Sequence, residues 1–297
     1  MRGYAEVVAE DRSDLPGQIG DQRRRLVERL AGVGAVVAVV SGKGGVGKSA
    51  VTANLAVSLA AAGASVGALD ADLNGPCLAR MLGLSRDGLE DRADGVHPAT
   101  GPSGVRGMST ELLLDENAPL RWKGPGSDRF VWQGATEAAV LREFLSDVVW
   151  GSLDYLLVDV PPGTDKIGRF LDLIPRPDQV LLVTIPSAAA TSVVARSATF
   201  LAEAGVAPVG LVRNMVGYAP ASGGAPLPLF SGPDMNGVSE PLDMEVWADI
   251  PFDPRLSQLT DAGRPPGAGC EGGVGRAMAA LVARVESARG GREEPGP

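Results

Sequence analysis

Histidine, cysteine and lysine are all scarce in this chain of 297 residues. His97 is the only histidine, and Cys77 and Cys270 are the only cysteines. Two cysteines so far apart exclude a disulfide framework, and with a single histidine they exclude a dedicated zinc site. Cationic residues are outnumbered: 27 Lys+Arg face 36 Asp+Glu, for a net charge of −9 and a pI near 4.8. No broad basic field is available to hold a nucleic acid. Long apolar runs are missing too. The longest uncharged stretch, residues 49–69, carries Thr52, Asn54, Ser58, Gly63 and Ser65, and reads as a helix, a glycine stop and a strand rather than a membrane span. The first fourteen residues, MRGYAEVVAEDRSD, have no apolar core of the kind a signal peptide needs. The expectation is a soluble, cytoplasmic protein with no nucleic-acid partner and no stable membrane insertion.

The remaining composition, 44% hydrophobic and 21% charged, is that of a globular chain. Its length suits one large domain or two small ones at about 150 residues each. Residues 1–34 read as a partly helical N-terminal extension, with Leu26, Val27 and Leu30 at helical spacing and a solvated Arg23-Arg24-Arg25 run. Residues 35–289 read as one domain, and 290–297 as a flexible tail. Within the domain, valine-rich AVVAVV at 35–40 suits a strand buried on both faces. An alanine-rich helix follows from Ser49 to Ala62, then strands at 64–69, 153–158, 180–185 and 208–212. Further helices are predicted at 135–149 and 188–204, with a closing helix over 272–289. This alternation predicts an α/β fold with a doubly wound, mostly parallel sheet flanked by helices. Two Gly/Pro-rich stretches, 85–127 and 217–243, interrupt it as long loops.

Of the four lysines, Lys43, Lys48, Lys123 and Lys166, two lie five residues apart in Ser41-Gly-Lys-Gly-Gly-Val-Gly-Lys-Ser49. Gly42 to Ser49 fits G-x-x-x-x-G-K-[ST] between a predicted strand and a predicted helix, the context this phosphate-binding loop requires. Glycines let successive N–H groups turn towards phosphate oxygens, and the helix N-terminus adds its positive dipole end. Nucleotide contacts are therefore expected from Gly42, Lys43, Gly44, Gly45, Val46, Gly47, Lys48, Ser49 and Ala50. Lys48 would neutralise the β- and γ-phosphates of ATP, and Ser49 would enter the Mg²⁺ shell. Leu156-Leu-Val-Asp159 ends in a carboxylate suited to hold Mg²⁺ through water. Asp70 and Asp72 end another strand at the ligand edge of the sheet. Asp72 is the candidate to orient the attacking water and Asp70 a further metal candidate, with a helix N-cap before 76–82 as the structural alternative.

Lys43 beside a conventional P-loop lysine makes the motif K-G-G-x-G-K-[ST]. It resembles the deviant Walker A loop of the MinD/ParA/nitrogenase-iron-protein class. Within that class the chain resembles the Mrp/ApbC iron–sulfur carrier ATPases and their eukaryotic cytosolic relatives. Six blocks match in order from about 35 to 285: SGKGGVGKS, DADLNGPCLARMLG (70–83), RWKGP (121–125), WGSLDYLLVDVPPGT (150–164), VRNM (212–215) and IPFDPRLSQLTDAGRP (250–265). The resemblance implies a homodimeric ATPase with two nucleotides at the interface. Lys43 would reach the partner's phosphates as a catalytic residue beside Lys48 and Asp72. Asn214, Pro251 and Asp253 would border the adenine, and a protein client in metalloprotein assembly would be served.

The departures from that pattern are specific. The family's C-x-x-C after V-E-N-M, which would bridge a [4Fe–4S] cluster between subunits, is replaced by Gly217-Tyr-Ala-Pro-Ala-Ser-Gly-Gly224. The expectation is an ATPase holding no cluster on a C-x-x-C of its own. The family's PPGTGD reads Pro161-Pro-Gly-Thr-Asp165-Lys166, which predicts slow hydrolysis. Cys77 stands where the family has serine. It reads as a small buried filler, or as a thiol whose pKa a helix N-terminus lowers. The alternative reading is a MinD/ParA-like regulatory or assembly factor, switched by ATP and acting on a protein partner. A nucleotide-binding subunit with almost no hydrolysis is a further alternative.

Overall fold

The computed structural model describes residues 15–113, 129–174, 177–206, 210–218, 227–230 and 244–290. Helix α1 (Leu15–Leu30) precedes β1 (Val36–Val40), α2 (Lys48–Ala61), β2 (Val66–Asp70) and the single-turn α3 (Leu78–Met81). Short strands β3 (Glu90–Arg92), β4 (Gly95–His97), β5 (Ala99–Thr100) and β6 (Arg106–Met108) lead to α4 (Arg129–Asp147). The chain then alternates through β7 (Tyr155–Asp159), α5 (Thr164–Leu173), β8 (Gln179–Thr184), α6 (Ala188–Glu203) and β9 (Gly210–Tyr218). It continues through β10 (Val246–Phe252) and α7 (Pro254–Asp261) to α8 (Gly273–Gly290). The main sheet has eight strands in the order β10-β9-β8-β1-β7-β2-β6-β5, all parallel except the β5–β6 pair. This is the predicted doubly wound α/β sheet.

The two faces of β1 explain why its sequence is apolar throughout. Val37 and Val39 enter the core beneath α2 and α8, while Val36, Ala38 and Val40 enter the core beneath α4, α5 and α6. Leu156, Leu157 and Val158 of β7 divide in the same way. A strand covered on both sides has no polar face, and each fully buried Val or Leu contributes about 1.5–3 kcal/mol. The polar residues of α2 are reconciled with burial by local bonding. Asn54 Nδ2 donates to Ala50 O at 2.8 Å and its Oδ1 accepts from Gly267 N at 2.9 Å. Ser58 Oγ donates to Asn54 O at 2.6 Å and accepts from Ala268 N at 2.8 Å.

Three features differ from the sequence reading. The stretch 85–127 is not simply a loop: β3 and β4 form a separate hairpin, and β5 and β6 extend the main sheet beyond β2. These strands are two or three residues long, too short to show a period. Arg106 anchors β6 by donating to Trp150 O at 2.7 Å and Ser152 O at 3.0 Å. Strand β10 was hidden because its apolar pattern is broken by Asp249 and Pro251, and its pairing with β9 shifts register twice. In α1, Leu26 is buried but Val27 is 62% exposed. Arg24 pairs with Asp21, and Arg25 with Asp147, on the solvent side. RWKGP lies outside the described residues, as do 219–226 of the cysteine-free loop. Among the described residues no helix is long and apolar enough to cross a membrane.

Candidate functional site

The C-terminal edge of the sheet gathers the chemistry-bearing residues. Strand β1 ends at Val40, and the chain turns through Gly45 (φ +78°) and Gly47 (φ +80°) into α2. Both angles lie in the left-handed region that only glycine adopts freely. Ser41 opens the turn: its Oγ donates to Lys43 O at 3.1 Å, and its carbonyl accepts from Gly163 N at 3.1 Å. Hence the Pro161-Pro-Gly-Thr segment is tethered to the first residue of the loop.

Asp159, at the end of β7 and fully buried, is the hub. Ser49 Oγ donates to its Oδ2 at 2.5 Å, Thr52 Oγ1 donates to its Oδ1 at 2.9 Å, and Lys48 Nζ stands 2.5 Å from Oδ1. The lysine is only 6% exposed, yet Nζ makes no well-aligned hydrogen bond to any described residue. Its close contact with Asp159 engages one of three N–H groups, so a buried ammonium keeps unused donors. That set of hard oxygens beside an under-coordinated cation fits a phosphate with Mg²⁺. Ser49 and Asp159 would hold the metal, and its charge would neutralise phosphate oxygens. Thr52 escaped the sequence reading, although its position one helical turn beyond Lys48 places it on the same face.

Asp70 and Asp159 are register partners on adjacent strands. Burial, reinforced by the Asp159 charge, pushes the Asp70 carboxyl up to about 7. Its oxygens are already engaged: Oδ2 accepts from Cys77 N and Leu78 N at 3.0 Å and from Ser109 Oγ at 3.2 Å. Asp70 thus takes the capping role at α3 that the sequence offers as the structural alternative for these two aspartates. Asp72 is half-buried, and its Oδ1 accepts a long bond from Gly75 N at 3.3 Å. Cys77 lies half-buried, its thiol against the Ser49 hydroxyl. Burial, with Asp70 and Asp159 nearby, raises its pKa, so α3 does not activate it. A helix of four residues has too little dipole to compete.

Lys43 is half-buried, and its ammonium bonds to none of the described residues. Asn214 lies on β9 opposite Ile250 of β10, and its Nδ2 donates to Val46 O at 2.9 Å. Pro251 and Asp253 line a cleft of about 910 Å³ with Tyr218, Phe252, Arg255 and Arg276. Asp253 caps α7 by accepting from Arg255 N at 2.8 Å, and the Arg255 guanidinium holds its carboxyl below the usual range. His97 faces Asp94 at 3.0 Å, away from this edge. Cys270 sits in the turn before α8, and burial raises its pKa. Both cysteines are free, and no group of three or more potential metal ligands occurs among the described residues.

A strand–glycine loop–helix unit ending on a lysine and a serine, with a buried aspartate on the neighbouring strand, defines a P-loop NTPase. Residues 32–285 match the ParA-type family described as NUBPL iron-transfer P-loop NTPase, and the chain belongs to that family. It is 36% identical over 231 residues to the iron-sulfur cluster carrier protein of Saccharolobus solfataricus, covering 77% of this chain and 75% of the relative. It is 38% identical over 253 residues to the cytosolic Fe-S cluster assembly factor CFD1 of Chaetomium globosum, covering 80% of each. Among solved structures, a nucleotide-binding protein from Archaeoglobus fulgidus in complex with ADP superposes with a TM-score of 0.67 at 33% identity. That match covers 82% of this chain and 91% of the other.

Proposed function

We propose that this protein is a homodimeric, Mg²⁺-dependent ATPase that serves iron–sulfur cluster assembly without holding a cluster on a C-x-x-C of its own. The observation that carries the ATPase reading is the buried Lys48–Ser49–Thr52–Asp159 constellation at the mouth of the glycine loop. Lys48 draws charge from the β- and γ-phosphates as the attacking water bonds to the γ-phosphorus and the bridging oxygen leaves with ADP. Asp72 orients that water. Lys43, free of partners among the described residues, reaches the second subunit's phosphates. Pro251 and Asp253 seat the base at the cleft. The tether from Gly163 N to Ser41 O carries the state of the loop into α5, where Lys166 replaces the family's acid and slows the reaction.

The cluster itself is cargo. Four thiolates are needed for a shared [4Fe–4S] centre. Cys77 is committed to the Ser49 side of the nucleotide site, and Cys270 stands in the turn before α8. This donor set does not fit a resident cluster, so the dimer works as a helper that passes conformational change to a cysteine-bearing client. The scarcity of cysteine also favours a second reading, an ATP-switched assembly factor like MinD or ParA. A cytoplasmic setting follows from likeness to the cytosolic relative. Calorimetry with Mg·ATP, paired with anaerobic reconstitution, tests the proposal. Saturable ATP binding with sub-stoichiometric iron supports it, whereas four irons per dimer, lost on Cys77→Ser or Cys270→Ser, overturns the helper role.

A further inference from the structure

We infer that Asn214 is a positioning residue for the phosphate cradle, holding the peptide between Val46 and Gly47 so that its N–H faces the phosphates. The inference rests on the nucleotide-binding reading of the glycine loop and assigns Asn214 a task other than bordering the base. Asn214 is 6% exposed, and both ends of its carboxamide are engaged. Nδ2 donates to Val46 O at 2.9 Å, and Oδ1 accepts from Met215 N at 3.0 Å. A trans peptide is planar, with C=O and N–H pointing in opposite directions. Anchoring the Val46 carbonyl on the β9 side therefore turns the Gly47 N–H to the other side, into the loop. A cradle for anions works only if its carbonyls are turned outward and its N–H groups inward. Here one carboxamide sets that sense at the residue preceding Lys48.

Two backbone features lie at this contact. A Cβ on Gly47 would lie 2.3 Å from Asn214 Nδ2 and 3.3 Å from Met215 Cε, so a side chain at Gly47 is excluded sterically as well as by its φ of +80°. Met215 has φ +56° and is the only non-glycine residue with positive φ among those described. Such a conformation is strained in a bulky residue and persists where the surroundings enforce it, often at functional sites. The Met215 N–H donated to Asn214 Oδ1 holds the carboxamide with its NH₂ towards the loop.

A residue that reads the base and a residue that sets the cradle fail differently. Asn214→Ala and the isosteric Asn214→Asp, which cannot donate to Val46 O, are compared with wild type by calorimetry against Mg·ATP, Mg·GTP and magnesium tripolyphosphate. Circular dichroism and thermal unfolding report whether each variant is folded. The cradle role predicts about tenfold weaker binding of tripolyphosphate, the loss expected for one hydrogen bond, with ATP and GTP weakened by the same factor. Unchanged tripolyphosphate affinity with a collapsed preference for ATP over GTP overturns the inference and makes Asn214 a base reader. Unchanged affinity for all three ligands in folded Asn214→Asp overturns it as well. Wild-type protein that binds neither ATP nor tripolyphosphate refutes the underlying nucleotide reading instead.

Discussion

Replacing Lys48 with alanine removes the cation that, among the described residues, faces two adjacent buried carboxylates. In the wild-type protein, Nζ lies 2.5 Å from Asp159 Oδ1, with the lysine 6% and the aspartate 0% exposed. Truncating one partner of a buried pair costs about 3–5 kcal/mol, because the other charge is left uncompensated. Two facts set the expected loss near the lower end, about 3 kcal/mol. Asp159 keeps the Ser49 and Thr52 hydroxyls at 2.5 and 2.9 Å, and a proton can be taken up beside Asp70, which already sits near 7. At about 2–4 °C per kcal/mol for a chain of this size, the midpoint falls by roughly 6–12 °C. Asp159→Asn in the same background should restore much of the loss, a coupling of about 2 kcal/mol. Thermal unfolding without nucleotide reads the pair, and calorimetry reads the ligand. Mg·ATP binding should weaken by at least about 2 kcal/mol, since a charge-assisted contact to phosphate is lost. A midpoint within about 2 °C of wild type, with strictly additive substitutions, would refute the buried-pair argument. Undiminished ATP affinity would refute the assignment of Lys48 to phosphate.

Lys43→Ala should leave ATP affinity intact while abolishing hydrolysis or ATP-dependent dimerisation; light scattering showing one mass with and without an ATP analogue, in both variants, counts against it. Asp72→Asn should lower the turnover of bound ATP at least tenfold with little change in affinity; equal single-turnover rates remove it from the reaction. Asp154 is held down at about 2, first by the Ser65 backbone N–H and hydroxyl and then by Arg289. A carboxyl depressed in the folded state stabilises above its unfolded value of 3.8 and loses that contribution as pH falls towards 2. Asp154→Asn should therefore flatten the fall in stability between about pH 4 and 2; identical acid profiles for both proteins would show that the carboxylate contributes nothing there.

Much of the fold was legible because a sheet covered on both faces writes its strands as unbroken apolar runs. AVVAVV, LDYLLV and VLLVTI could hardly be anything else once separated by helical patterns. Strands β3, β4, β5 and β6 were illegible for the opposite reason: at two or three residues none has room for a pattern. Strand β10 was hidden by Asp249, whose carboxylate is taken up by the Arg213 guanidinium at 2.6 Å from the neighbouring strand. That pairing exists only once β9 and β10 lie side by side.

The division at the site follows the range of the interactions. The glycine loop, Lys48 and Ser49 are contiguous, so local geometry dictates their task, and spacing along one helix extends that to Thr52. The ends of the strands mark Asp159 and Asp70 as candidates, but not what each does. Only the packed sheet puts Asp159 beside Lys48 and leaves Asp70 to bond Cys77 N, Leu78 N and Ser109 Oγ. It also carries Asn214, 168 positions from Val46, onto the loop carbonyl. These contacts link residues that share no sequence neighbourhood, so no periodicity along the chain encodes them. They are decided by strand order, which the burial of both sheet faces determines for the whole domain at once.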